Sequence, residues 1–215
     1  MENIIFIAPP AAGKGTQSEL LKEKYNYNHI STGDMLRSSI ASGSPLGLKV
    51  KSIIDAGGLV SDDIMIDLIK DKLNDIGNKP FILDGFPRTL PQAEALEELL
   101  KENKISYKVI YLELDEEVAR KRILGRRTCE CGRSYNIYDE ELKPKVSNIC
   151  DYCGKPLIQR ADDNEESFKT RYDTFLKNTK SIMEYYQGLN NLIKIDVNRN
   201  KDEIFKDIEK AINND

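Results

Sequence analysis

The sequence predicts an α/β protein built on a parallel sheet, and three observations carry that prediction. Apolar runs of strand length alternate with stretches of helical periodicity along most of the chain, the pattern of βαβ units. The run Asn3-Ile4-Ile5-Phe6-Ile7 is too apolar to face water on either side, so it suits a strand covered on both faces. A turn containing Gly13, Lys14, Gly15 and Thr16 follows it and leads into a helix.

The first helix is expected from near Gly15 to Lys24, and His29-Ile30 reads as a short strand. Segment 32–73 holds no convincing strand, and its Ile64, Leu68, Ile69 and Leu73 recur at helical spacing. Further strands are expected at Phe81–Leu83, Lys108–Leu114 and Leu192–Ile195. Segment 128–160 carries all four cysteines with Pro144, Pro156 and several glycines, and reads as a small loop-rich module. A long helix is expected from about Glu165 to Tyr186, and an amphipathic one from Asp202 to Ile212. The result is one core with two insertions, which 215 residues accommodate.

Composition narrows the function. With 40% hydrophobic residues and a net charge of -4, the chain resembles an ordinary soluble protein. It shows no sign of a general nucleic-acid or membrane binder. No apolar run approaches the roughly 20 residues that span a bilayer. Asn3 to Ile7 lacks the basic leader and cleavage site of a signal peptide. A cytoplasmic protein is therefore expected, with any anion site confined to a local feature.

That local feature is the turn Ala8-Pro9-Pro10-Ala11-Ala12-Gly13-Lys14-Gly15-Thr16. Consecutive backbone N–H groups at a helix N-terminus form a concave donor surface for phosphates. Lys14 is placed to reach the β- and γ-phosphates, and the Thr16 hydroxyl to sit near Mg²⁺. Ala8 stands where the phosphate-loop pattern expects glycine, and Pro9 and Pro10 bring no N–H. The donors must come mainly from Ala12 onward.

Asp84 follows the strand Phe81-Ile82-Leu83. A carboxylate there can hold Mg²⁺ through water, the plainer reading being a turn or capping aspartate. The cysteines pair as Cys129-Glu130-Cys131 and Cys150-Asp151-Tyr152-Cys153. Their clustering favours a metal, with free thiols or a disulfide as the alternative. The lone His29 reads as a structural or surface residue.

At Ser31-Thr32-Gly33-Asp34-Met35-Leu36-Arg37 and Asp84-Gly85-Phe86-Pro87-Arg88 the chain closely resembles the adenylate kinases. Gly125-Arg126-Arg127 and Gln159-Arg160-Ala161-Asp162-Asp163 extend the match in family order. The resemblance implies the P-loop nucleoside monophosphate kinase fold, a five-stranded parallel sheet flanked by helices. It also implies a core of 1–31, 74–127 and 161–215, an AMP-binding insertion at 32–73 and a lid at 128–160. The implied reaction is reversible phosphoryl transfer, ATP and AMP giving two ADP with Mg²⁺.

The family's AMP site maps onto Thr32, Arg37, Leu59, Val60, Gly85, Arg88 and Gln92, with Arg160 and Arg171 gripping phosphates. Its ATP side maps onto Gly13, Lys14, Gly15, Thr16, Arg122, Arg126, Ser134, Tyr135 and Arg199. Lys14, Arg88, Arg126, Arg160 and Arg171 are the implied catalytic cations. Related kinases for UMP and CMP commonly carry alanine where Thr32 stands, so Thr32 and Gln92 favour adenine. The cysteines resemble a zinc-holding lid, although Cys129-Glu130-Cys131 is one residue shorter than the family's C-x-x-C. A monomer is implied. Competing readings are a kinase using UMP, CMP or a GTP donor, and a nucleotide-binding protein without catalysis.

Overall fold

The computed structural model describes residues 2–77 and 79–213. The first half contains β1 (Asn3–Ile7), α1 (Lys14–Tyr25), β2 (Asn28–Ser31), α2 (Thr32–Ala41), α3 (Pro45–Asp55), α4 (Asp62–Ile76), β3 (Phe81–Asp84) and α5 (Leu90–Glu102). The second half contains β4 (Tyr107–Glu113), α6 (Glu116–Gly125), β5 (Arg126–Thr128), β6 (Ser134–Asn136), α7 (Glu165–Gly188), β7 (Leu192–Asp196) and α8 (Lys201–Asn213).

The main sheet is five-stranded, in the order β2-β3-β1-β4-β7, and every pairing in it is parallel. Strand alternation sorts β1 between two cores. Ile4 and Phe6 join Ile82, Ile110 and Leu112 against Leu21, Phe168 and Ile204. Ile5 and Ile7 join Leu83 and Val109 against Leu36, Ile69, Leu96 and Ile182. Both faces are therefore covered, which is why the β1 sequence does not alternate in polarity. Helix α7 is long enough to serve both, sending Phe168 and Tyr172 to one core and Ile182 and Tyr186 to the other.

The topology positions the site. The chain leaves β1 toward the β2 edge but leaves β3 toward β4, on the other side of β1. Such a switch opens a crevice beyond the carboxyl ends of the strands. The register sets Asp84 level with Phe6, one residue short of the end of β1. Asp84 thus stands beside the loop that follows Ile7.

Segment 32–73 folds as α2, α3 and most of α4. Ser31 and Ser44 cap α2 and α3 by accepting from the N–H groups of Asp34 and Gly47, each worth about 1 kcal/mol. Segment 128–160 is loop-rich around an antiparallel β5–β6 ribbon, which begins at Arg126. Its strands are three residues each, too short to register as a sequence periodicity.

Candidate active site

The loop after β1 turns on Ala11 (φ 60°) and Gly13 (φ 89°), both left-handed. Glycine accepts that conformation freely, whereas Ala11 carries about 1–2 kcal/mol of steric strain. Ala8 does not adopt a positive φ, so alanine serves where the phosphate-loop pattern expects glycine. The Ala12 N–H turns back toward the Pro9 carbonyl (3.4 Å). The first N–H groups of α1, from Lys14 onward, have no acceptor within the helix and form the anion-binding end.

Lys14 Nζ rests against the carbonyls of Ala8 (3.4 Å) and Pro9 (3.3 Å). Burial pulls its pKa down to about 8, opposed by the Asp84 charge and reinforced by Arg88, Arg171 and Arg126. Burial works to raise the Asp84 carboxyl, but its neighbour His29 and the Lys14 charge outweigh it and hold the carboxyl low. His29 Nε2 lies 3.4 Å from Asp84 Oδ2, because β2 pairs with β3 and sets Ser31 opposite Asp84. The lone histidine is a partner of the crevice carboxylate. Its proximity to Asp84 was not visible in the sequence, since it depends on strand register.

Four arginines converge on this crevice, each held by a carboxylate. Arg126 forms a two-pronged pair with Asp163, its Nε at 2.8 Å. Arg171 Nη1 meets Asp162 Oδ2 at 2.8 Å. Arg37 Nη2 meets Asp34 Oδ1 at 2.6 Å, and Arg160 approaches the same oxygen at 3.7 Å. Asp162 and Asp163 therefore orient Arg171 and Arg126. Their neighbour Arg160 pairs instead with Asp34 across the cleft. Burial, then the Arg126 charge, draws both Arg160 and Arg171 down to about 10, so both stay charged at neutral pH. The carboxylates keep the forks pointed where phosphate oxygens can replace them.

Beside the cluster a cleft of about 540 Å³, open to solvent, is lined by Thr32, Arg37, Leu59, Val60, Gly85, Arg88, Gln92 and Arg171. These are residues expected at the AMP side; Arg160 is not among the lining residues. Leu36, Ile54, Gly57, Gly58 and Met65 line it as well and went unread in the sequence. The Gly57-Gly58 doublet before Leu59 was the available signal. Gly85 (φ +85°) leaves no room for a side chain, since a Cβ there would stand 2.6 Å from Thr32 Oγ1. The Thr32 hydroxyl donates to the Gly85 carbonyl at 2.9 Å, and Arg88 Nε donates to the same carbonyl at 2.7 Å.

Gln92 is fixed from both ends. Its carbonyl accepts from the Arg88 N–H and its amide donates to Asp62 Oδ1, each at 2.7 Å. An N–H can only donate and a carboxylate only accept, so the orientation of the amide is determined. One N–H and one lone pair remain for a ligand. Asp62, which also accepts from the Thr89 hydroxyl (3.1 Å), is a positioning residue that sequence reasoning missed.

The remaining ATP-side residues are more scattered. Arg122 donates to the Val197 carbonyl at 3.2 Å. The Arg199 side chain is tied to Asp207 at 2.7 Å, turned toward α8. Ser134 and Tyr135 lie on β6. Gly125 ends α6 where a Cβ would stand 2.2 Å from Asn136 Oδ1. Close packing accounts for that glycine.

The four cysteine sulfurs lie within 4.8 Å of one another. Cys129 Sγ is 3.4 Å from Cys153 Sγ, and Cys131 Sγ is 3.7 Å from Cys150 Sγ. Tetrahedral zinc with Zn–S near 2.3 Å separates its sulfurs by about 3.8 Å, so the set fits that metal. Each knuckle closes on a left-handed glycine: Gly132 N–H bonds Cys129 O at 3.0 Å, and Gly154 N–H bonds Cys150 O at 2.9 Å. The missing residue is absorbed by a tighter turn, and Cys131 still reaches the cluster.

Comparison with known proteins agrees with this geometry. The family profile described as Adenylate kinase matches residues 6–191. The chain is 46% identical over 215 residues to an adenylate kinase of Methanocella arvoryzae, covering 99% of this chain and 98% of the relative. It is 46% identical over 213 residues to that of Archaeoglobus fulgidus, covering 98% and 97%. With the Clostridium tetani enzyme it shares 44% identity over 214 residues, 98% of each chain. A profile match over most of the chain and full-length relatives at this identity, on a crevice of phosphate loop and converging arginines, place the chain in the adenylate kinase family.

Proposed function

We propose that this adenylate kinase moves the phosphoryl group between ATP and AMP through Lys14, Arg88, Arg126, Arg160 and Arg171. The observation that carries the assignment is their convergence. Lys14 feels the charges of Arg88, Arg126 and Arg171, and Arg160 those of Arg126 and Arg37. So many cations around an acceptor cleft suit a transferring phosphoryl group crowded with anionic oxygens, where positioning and charge neutralisation supply most of the catalysis.

Gly13, Lys14, Gly15 and Thr16 would seat the triphosphate at the α1 N-terminus, with Lys14 leaving the Ala8 and Pro9 carbonyls for the β- and γ-oxygens. Arg122, Arg126, Ser134, Tyr135 and Arg199 border the donor side. On the acceptor side Arg37, Arg160 and Arg171 would exchange their aspartates for the AMP phosphate, and Arg88, held by the Gly85 carbonyl, would join them. Adenine would meet Thr32, Leu59, Val60 and Gly85, and the free donor and acceptor of Gln92 match its N1 and 6-amino group. The attacking AMP phosphate is already anionic, so no general base is assigned. Closure of 128–160 over 32–73 would exclude water, and the Arg160–Asp34 approach spans these segments.

Magnesium bound with ATP would supply further charge neutralisation, with Thr16 and, through water, Asp84 as its protein partners. The half-buried Asp84 carboxyl, held low, is a fitting donor. Cys129, Cys131, Cys150 and Cys153 would hold a structural Zn²⁺. Among the described residues no helix is long and apolar enough to cross a membrane. We read the protein as a cytoplasmic monomer.

The test offers MgATP with AMP, CMP, UMP, GMP or no acceptor and follows ADP. A strong preference for AMP is expected. Preference for another nucleotide would overturn the roles given to Thr32 and Gln92, while nucleotide binding without transfer would overturn the cation assignment.

A further inference from the structure

We infer that Tyr135 is a positioning residue of the cysteine cluster, its phenol donating a hydrogen bond to the Cys150 sulfur and locking that knuckle to β6. The Tyr135 oxygen lies 3.4 Å from Cys150 Sγ and 2.8 Å from the Asp151 backbone nitrogen. The direction of the first bond follows from the metal-bound state of the sulfur. A thiolate carries no hydrogen and can only accept, so the phenol hydrogen points at sulfur while the phenol oxygen accepts from the Asp151 N–H. Cys150 is 1% exposed, and a thiolate so buried gains from a donor that water cannot replace. The Asp151 side chain accepts from the Lys145 N–H at 3.0 Å, so both the backbone and the side chain of Asp151 are anchored inside the module.

The bond connects parts of the lid distant in sequence. Tyr135 is paired with Arg127 in the β5–β6 ribbon, and the next residue back is Arg126, a cation of the crevice. Cys150 opens the second knuckle, whose Gly154 N–H closes on the Cys150 carbonyl. The phenol therefore joins the second knuckle to the ribbon that leaves the active site. Outer partners that orient metal ligands typically change metal affinity by about 10–100-fold.

This inference rests on the four cysteines binding a metal, and the experiment separates the two. Zinc content is measured on the wild-type protein and on Tyr135→Phe, followed by zinc release into excess chelator containing a colorimetric zinc indicator. Cobalt-substituted samples report the sulfur-to-metal charge-transfer band. Release about tenfold faster in Tyr135→Phe, with a shifted cobalt band, is the expected result. Equal release rates and identical bands in two zinc-containing proteins would overturn the role of Tyr135 and leave the metal site standing. A wild-type protein that retains no zinc would overturn both. Melting temperatures with and without metal guard against a merely structural role: the inference requires a larger loss in the zinc-loaded pair than in the stripped pair. An equal loss in both contradicts it.

Discussion

Segment 32–73 contributes Leu36, Val50, Val60, Met65, Ile69 and Leu73 to the cluster that holds Ile5, Leu83 and Val109 of the sheet, whereas segment 128–160 has only Cys129, Cys150 and Leu157. Burying six such side chains contributes about 1.5–3 kcal/mol each before entropy is charged. Segment 32–73 is thus an extension of the main core. Segment 128–160 has one buried aliphatic residue in its cluster, too little to order more than thirty residues. What the lid has in its place is four sulfurs around one point. The difference teaches that two modules flanking one crevice can answer to different conditions, one to core packing and the other to metal and redox state.

The largest expected effect is metal removal, since apparent zinc-binding energies in small modules reach about 10–16 kcal/mol. Chelation should abolish hydrogen-exchange protection at Thr128, Cys129, Cys150 and Leu157, whose N–H groups bond within the lid. Val50, Met65 and Ile69 should keep theirs. Equal protection before and after would break the comparison. Next comes Ile69→Ala, expected to lower global stability by about 2–5 kcal/mol in denaturant titration, while Leu157→Ala shifts the main transition by less than about 1 kcal/mol because the lid opens locally. Similar losses from the two substitutions would unite the modules that the packing separates.

A smaller effect concerns the crevice between them. Burial disfavours the Lys14 charge and pulls its pKa down to about 8. A bound triphosphate favours that charge and raises the pKa again. Above about pH 8, MgATP binding should therefore take up a proton, and kcat/KM for ATP should fall as pH rises through that value. Calorimetry in two buffers of different ionisation heat checks this; a buffer-independent heat at pH 9 would contradict it.

Much of this was legible from residues alone. The strands announced themselves because a sheet buried on both faces needs continuous apolar runs, and Asn3–Ile7 is one. The crevice residues were legible because short motifs place backbone and charge together, as in Gly13–Thr16 and Asp84–Arg88. What was hidden depends on pairing between distant segments. His29 reaches Asp84 only through strand register, and Asp62 orients Gln92 only once α4 packs beside α5. Asp162 and Asp163 stood in the sequence only as part of a motif, and their partners Arg171 and Arg126 are set by the α6 and α7 geometry. The break between α2 and α3 was marked by Gly43-Ser44-Pro45, a turn-and-cap signal that the sequence reading passed over.

We assign phosphoryl transfer at this crevice to the arginine forks and Lys14. The most direct test of this assignment is the turnover of Arg88→Lys with saturating MgATP and AMP, alongside its melting temperature. Lysine keeps the charge but loses the planar fork. In this variant kcat should fall by about 100-fold or more with the melting temperature little changed. A near-normal kcat in a folded Arg88→Lys protein would contradict it.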